Sequence, residues 1–201
     1  LLPQQVSHAL VSRGYSESIT YSFISPNIQA YFLDKHVQTM DVKNPIATDM
    51  SQMRTSLWPS LISVMKYNMN RQQSRVRLFE FGCVYRKFKG ELQQPMKLAM
   101  LAAGHDKPVS WRSACKPTDF FSVKADVEML LSLTRRINEF EWKRCESSGL
   151  HPGQTAALYL QGEPVGLLGV LHPQVVRDLG LNSTPVLFEV SSDVILSSAL
   201  P

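Results

Sequence analysis

Two stretches decide the fold: residues 76–85, VRLFEFGCVY, and residues 96–103, MKLAMLAA. Both are nearly continuous apolar runs of strand length, and a polar loop around Lys89 and Gly90 joins them within ten residues. So short a connection predicts an antiparallel pair, because parallel strands need a longer crossover. Just before them, residues 59–70 (PSLISVMKYNMN) open on Pro and carry Leu61, Ile62, Met65 and Met69 at i, i+1, i+4 and i+8. That spacing predicts an amphipathic helix with Lys66 and Asn70 off its apolar face.

Toward the C-terminus, residues 119–135 read as a helix with Phe120, Val123, Val127, Leu130, Leu131 and Thr134 on one side. Strands are predicted at 140–145, 155–160 and 164–171, the last two joined by Gln161, Gly162 and Glu163. A short helix over 173–179 closes at Gly180, and 185–190 is a final strand. Toward the N-terminus, residues 3–13 read as a helix from Pro3, with Val6, Leu10 and Val11 near a 3.6 spacing and Gly14 as its cap. Residues 18–23 read as a strand with Ile19, Tyr21 and Phe23 on one face. Residues 26–33 read as a helix, 40–43 as a short strand stopped by Asn44-Pro45, and 111–118 as irregular. There is no internal repeat and no regular βαβ alternation. The class is therefore α+β, an antiparallel β-sheet flanked by helices, taken as one domain over 1–201.

The composition excludes several classes. With 201 residues, 44% hydrophobic and 19% charged, this is the make-up of a soluble globule. No apolar run reaches the ~18 residues of a membrane span, and no stretch reads as a signal peptide. The first residue is Leu1, which predicts an internal piece of a longer polypeptide. Cys83, Cys115 and Cys145 are an odd, widely spaced set, neither a disulfide framework nor a zinc ribbon, and they point to a reducing cytoplasm. The net charge is +4, unevenly placed: Lys66, Arg71, Arg75, Arg77, Arg86, Lys87 and Lys89 face Glu80 alone, a local +6. Such a segment either meets an anionic partner or solvates one face.

Generic chemistry is absent. No glycine-rich phosphate loop or nucleophile elbow occurs. The five histidines are isolated from one another; His151 and His172 each stand in Leu-His-Pro, which suits turns or caps better than metal ligation. Cys83 falls in a predicted strand, where a free Cys is usually a small apolar residue. Asp126 and Glu128 are two apart on a helix and do not share a face.

A resemblance supplies what chemistry does not. Residues 13–20 (RGYSESIT), a helix end turning into a strand, resemble the first signature of class II aminoacyl-tRNA synthetases, which builds the subunit interface. Residues 53–57 (MRTSL) before a helix, and then 78–86 (LFEFGCVYR), resemble the approach to the second signature, whose strand ends in an Arg that contacts the ATP α-phosphate. In order along the chain, the following resemble the β-subunit family of bacterial phenylalanyl-tRNA synthetases: Asn44-Pro45-Ile46, residues 53–57, residues 79–82 (FEFG), the Asp119 to Glu128 pattern, Leu150 to Gly153, and Gly166 to Pro173. Together they cover residues 1–190 and imply a core like that of the class II catalytic domain, near the C-terminal end of such a subunit.

The departures decide the expected function. Tyr21 stands where the first signature ends in Pro, and Arg86-Lys87-Phe88 puts Phe where the second carries a carboxylate. The third signature, with the Arg that meets the ATP γ-phosphate, is missing: residues 186–190 (VLFEV) contain no Gly, and no Lys or Arg follows Arg177. Transfer at phosphorus depends on cations aimed at its oxygens. The resemblance therefore implies a non-catalytic domain with no cofactor of its own, pairing with the catalytic α subunit in an enzyme that uses ATP and Mg2+ to charge tRNA. Val6, Leu10, Tyr15, Ile19, Leu61 and Met65 are its interface candidates, although interface and interior have nearly the same composition. Arg71, Arg75, Arg77, Arg86 and Lys87 are candidates for phosphate or RNA. Self-association through uncovered partner surface is a further expectation. The alternatives are an autonomous RNA-binding module built on residues 66–90 and an active adenylating domain.

Overall fold

The computed structural model describes residues 2–33, 37–88, 90–111 and 116–196, so His36, Lys89 and Cys115 lie outside the described residues. In chain order the elements are α1 (Pro3–Ser12), β1 (Ser16–Glu17), β2 (Phe23–Ile24), α2 (Pro26–Gln29) with a 3-10 turn (Ala30–Phe32), β3 (Met40–Asp41), β4 (Gln52–Met53) and α3 (Trp58–Met69). There follow β5 (Arg75–Cys83), β6 (Arg86–Phe88), β7 (Glu91–Gln93), β8 (Met96–Gly104) and α4 (Phe120–Ser132). The chain ends with β9 (Phe140–Arg144), β10 (Leu150–Leu160), β11 (Glu163–Leu171), α5 (Pro173–Asp178), β12 (Val186–Ser191) and α6 (Ser192–Leu196). Among the described residues no helix is long and apolar enough to cross a membrane.

The expected antiparallel pair is the centre of the molecule. β5 and β8 run from Arg75 opposite Gly104 to Cys83 opposite Met96. The seven-stranded sheet has the order β1-β5-β8-β12-β11-β10-β9, and every pairing is antiparallel except that of β1 with β5. Both faces are buried, which is why the central strands read as continuous apolar runs. Phe79, Leu98, Met100, Val186, Phe188 and Val190 pack with α1 and α4 on one face. Val76, Leu78, Ala99, Leu101 and Leu187 pack with α3 and Val175 of α5 on the other. Pleating sends neighbours to opposite faces, so each run supplies two cores at once.

Two buried ion pairs tie the N-terminal half to the sheet. The Arg54 guanidinium donates from NH1 to Glu80 Oε1 at 2.8 Å and to Thr20 Oγ1 at 2.8 Å, and from Nε to the Cys83 carbonyl at 2.9 Å. Thr20 Oγ1 donates in turn to Glu80 Oε2 at 2.7 Å. Gly82 is required beneath this group, since a Cβ there would stand 2.4 Å from Arg54 NH2. In the second pair, Arg77 NH1 and the Tyr15 hydroxyl both donate to Asp126 Oδ2, at 2.6 and 3.0 Å. This joins the turn after α1, strand β5 and helix α4.

The differences from the sequence reading have local causes. Of the strand predicted over 18–23 only Phe23 lies in a strand, at the start of β2, while β1 ends at Glu17. Ser18 N–H still donates to the Phe79 carbonyl, but Thr20 then turns to Glu80 and leaves Ile19 and Tyr21 in solvent, 92% and 68% exposed. The helix predicted over 26–33 is one α-turn continued as 3-10. The polar loop after β5 folds into the β6–β7 hairpin, and β10 begins five residues earlier than its predicted strand. Asp126, set aside as half of an unpaired couple of acids, points into the core, while Glu128 pairs with Lys124 outside.

Removing Arg54 strands Glu80 in the interior. Arg54→Ala is expected to lower unfolding free energy by roughly 3–5 kcal/mol, as breaking one side of a buried pair does. Urea denaturation of the two chains measures it, and a change below 1 kcal/mol, the range of exposed ion pairs, contradicts the assignment.

Candidate functional site

The basic segment does not form one stripe. Arg77 is buried, gives NH1 to Asp126 and NH2 to the Asp106 carbonyl at 3.1 Å, and is not available to an external phosphate. Arg75 reaches the Gly14 carbonyl at 3.4 Å, and burial, then the charge of Arg77, lower its pKa. Arg71 lies 3.4 Å over the Tyr67 ring, and Lys66 Nζ donates to the Leu179 carbonyl at 2.6 Å. Arg86 and Lys87 are exposed on β6, where Arg86 Nε donates to Gln93 Oε1 at 3.0 Å. Of the five phosphate candidates, Arg71, Arg86 and Lys87 are the exposed ones.

The interface candidates divide just as sharply. Val6, Leu10 and Tyr15 belong to the core beneath α1 and α4, and Leu61 and Met65 to the core beneath α3, each 2% exposed or less. Five of the six are thus buried in the interior of this chain. A helical apolar stripe serves either purpose, and only packing distinguishes them. Ile19 is different. With Tyr21, 68% exposed, and Tyr67, 58% exposed, it borders a cleft of about 460 Å³ that is lined also by Ile28, Met50 and Val64. Tyr21 and Tyr67 were not among the expected contacts, because the chain's turn at Thr20 and the end of α3 meet only in three dimensions.

A second cleft, about 560 Å³, lies over the sheet beside the start of α3. Arg86, Trp58, Lys97, Leu167 and Glu189 are among the residues that line it. Glu189 is 7% exposed and fully engaged. Its Oε1 accepts from Ser56 Oγ at 2.9 Å and from the Leu57 N–H at 2.8 Å, and its Oε2 pairs with Lys97 Nζ. Trp58 Nε1 donates to the Phe188 carbonyl at 3.1 Å, which seats the first turn of α3 on β12. Arg86 and Glu189, which the resemblance sets at the places of the second and third synthetase signatures, line one space. They are a poor fit for a metal-bound triphosphate. Glu189 is the only carboxylate among the described residues lining the cleft, and it already carries three donors.

The remaining reactive groups are structural. His172 Nδ1 accepts the Gln174 N–H at 3.1 Å and caps α5, and His151 Nδ1 accepts the Gly153 N–H at 3.0 Å. Both are the cap and turn roles that Leu-His-Pro suggests. No group of three His, Cys, Asp or Glu among the described residues could hold a metal. Burial raises the pKa of the Cys145 thiol, and Cys83 Sγ rests 3.0 Å from Met96 Sδ.

The fold is shared with a solved structure, Desulfitobacterium hafniense PylSc, a pyrrolysyl tRNA synthetase: TM-score 0.65 at 15% identity, covering 96% of this chain and 64% of that one. This defines the class II synthetase fold. The family model for the phenylalanyl tRNA synthetase beta chain CLM domain matches residues 1–192. The chain is 43% identical over 201 residues to the phenylalanine–tRNA ligase beta subunit of Yersinia pestis, and 42% identical over 192 residues to that of Coxiella burnetii. These matches cover 98% and 96% of this chain but 25% and 24% of the relatives, so it spans about a quarter of their length. The chain belongs to the phenylalanyl-tRNA synthetase β-chain family, as its CLM domain.

Tyr15 gives this scaffold a pH signature. Burial, and then the adjacent Asp126 carboxylate, push its phenol above its ordinary value of 10.0. Above that pH the unfolded chain loses the proton while the folded chain keeps it, so this contribution is whole below pH 10 and is lost on further alkalinisation. Stability is expected to fall by up to ~1.4 kcal/mol per pH unit from this group. Tyr15→Phe should flatten that part of the slope, read as denaturant midpoints from pH 8 to 11; an unchanged slope contradicts it.

Proposed function

We propose that this domain is a catalytically silent copy of the class II fold, serving as the structural partner of the α subunit in the enzyme that joins phenylalanine to tRNA. The α subunit then holds phenylalanine, ATP and Mg2+, and the work takes place in the cytoplasm. Family membership supports the setting. Silence is supported by Lys87 and Phe88 after Arg86, where the second signature needs a carboxylate, and by a third signature without its Arg. The missing Arg would supply charge stabilisation, and Lys97, which lines the cleft with Arg86, is already paired with Glu189.

The observation that carries the partner role is the exposed apolar border of the first cleft: Ile19, Tyr21 and Tyr67. Clustered surface of this kind is rimmed by polar residues and marks a contact site, and tyrosines are favoured anchors in interfaces. Ile19 lies within the stretch that resembles the first signature, the interface element of the class, and Tyr21 stands at its end. The same surface favours self-association when the α subunit is absent. Arg71, Arg86 and Lys87 are the cations left to touch tRNA in the assembled enzyme.

Sedimentation of the chain with an α subunit from the same source tests the reading. A species of combined mass is expected at micromolar concentration. Ile19→Asp with Tyr21→Asp should weaken association roughly tenfold or more, the scale of losing interface anchors. Val109→Asp, an exposed apolar position elsewhere, should leave it unchanged. Failure to associate, or equal effects of both changes, counts against the proposal. Salt-sensitive RNA binding by the chain alone would favour an independent RNA-binding role.

A further inference from the structure

The second cleft holds a complete set of anion-binding groups, and the protein's own carboxylate occupies it. Lys97 brings an ammonium from β8, Ser56 a hydroxyl, and Leu57 a backbone N–H at the N-terminus of α3, a helix of 12 residues. Ammonium, hydroxyl, free N–H and the positive end of a helix dipole are together what a phosphate or carboxylate takes. Here all three donors point at Glu189, which rises from β12 in the middle of the sheet. Arg86 lines the same space, bonded to the Gln93 carboxamide and, among the described residues, to no carboxylate.

We propose that Glu189 is a tethered anion that fills the phosphate locus of this cleft and closes it to phosphate-bearing ligands. This deepens the silent-domain reading and rests on it: the pocket is not merely short of cations but already neutralised from within. The chemistry follows from tethering. A carboxylate fixed to the sheet meets its donors at an effective concentration that no free anion matches. An entering phosphate would have to expel a buried carboxylate, leaving it charged and without partners. Replacing Glu189 turns the balance around. Lys97 and the Leu57 N–H lose their acceptor, and an anion from solution can restore it.

The test measures thermal unfolding of the parent chain, E189A and E189Q with inorganic phosphate, against chloride at equal ionic strength. The parent is expected to show no phosphate-specific shift. E189A should start at a lower midpoint and rise with phosphate, saturably, by roughly 5 °C or more near hundredfold saturation. E189Q keeps the shape while losing the charge opposite Lys97, so its response should fall between the two. It also decides the matter if E189A does not fold. Adding Lys97→Met to E189A should abolish the response. Saturable phosphate binding by the parent overturns the proposal, as does a folded E189A or E189Q that phosphate leaves unmoved. Association with the α subunit, followed by sedimentation in the same preparations, reports on the partner reading independently, because Glu189 is not among the residues lining the Ile19 cleft.

Discussion

The buried pair of Arg54 and Glu80 positions both surfaces on which the functional reading rests. Glu80 sits in the middle of β5, and Arg54 reaches it from the stretch before α3, across Gly82. Thr20 completes the group by donating to Glu80. Because Thr20 turns inward, its neighbours Ile19 and Tyr21 are thrown outward to form the apolar border. The Arg54 backbone is also a link: its carbonyl accepts the Tyr85 N–H at 2.8 Å, which sets the exit of β5 and the placing of Arg86 beside the second cleft. A single desolvated charge pair thus governs the contact face and the edge of the pocket together. Its energetic weight lies in the cost of separating it, since either charge alone would be left buried.

Three acids, Glu80, Asp126 and Glu189, each bind a cation from a different element: Arg54, Arg77 and Lys97. In an active member of this fold class, charged groups over the sheet would be kept for substrate. Here the charges close on one another and hold α3, α4 and the turn after α1 to the sheet. That arrangement suits a domain whose task is to present a rigid surface. Groups satisfied inside the protein gain nothing by meeting a ligand, whereas apolar side chains left in water do.

The strand pair, the helices after Pro59 and Asp119 and the mixed α+β class were legible because they depend on local periodicity, and the burial of these runs agrees with it. The class II resemblance was legible from short patterns in order, and the comparisons bear it out. Interface residues were not legible in the same way. Val6, Leu10, Leu61 and Met65 have the composition of a contact and turned out to be interior, since the same hydrophobic effect builds both. The basic run 66–90 looked uniform along the chain, yet Arg77 falls on the central strand β5 and enters the core beside Asp126, while Arg86 falls on the separate β6–β7 hairpin and stays outside.

By itself, the sequence determined the class of fold, the family and the loss of the synthetase signatures, because these reside in residue order and in the period of apolar positions. Tertiary structure alone decided which apolar residues remain in water, which cations are spent internally and what fills the second cleft. The reason is physical. Ser56 and Glu189 are 133 positions apart, and no local pattern records that a carboxylate on one strand will meet the end of a distant helix.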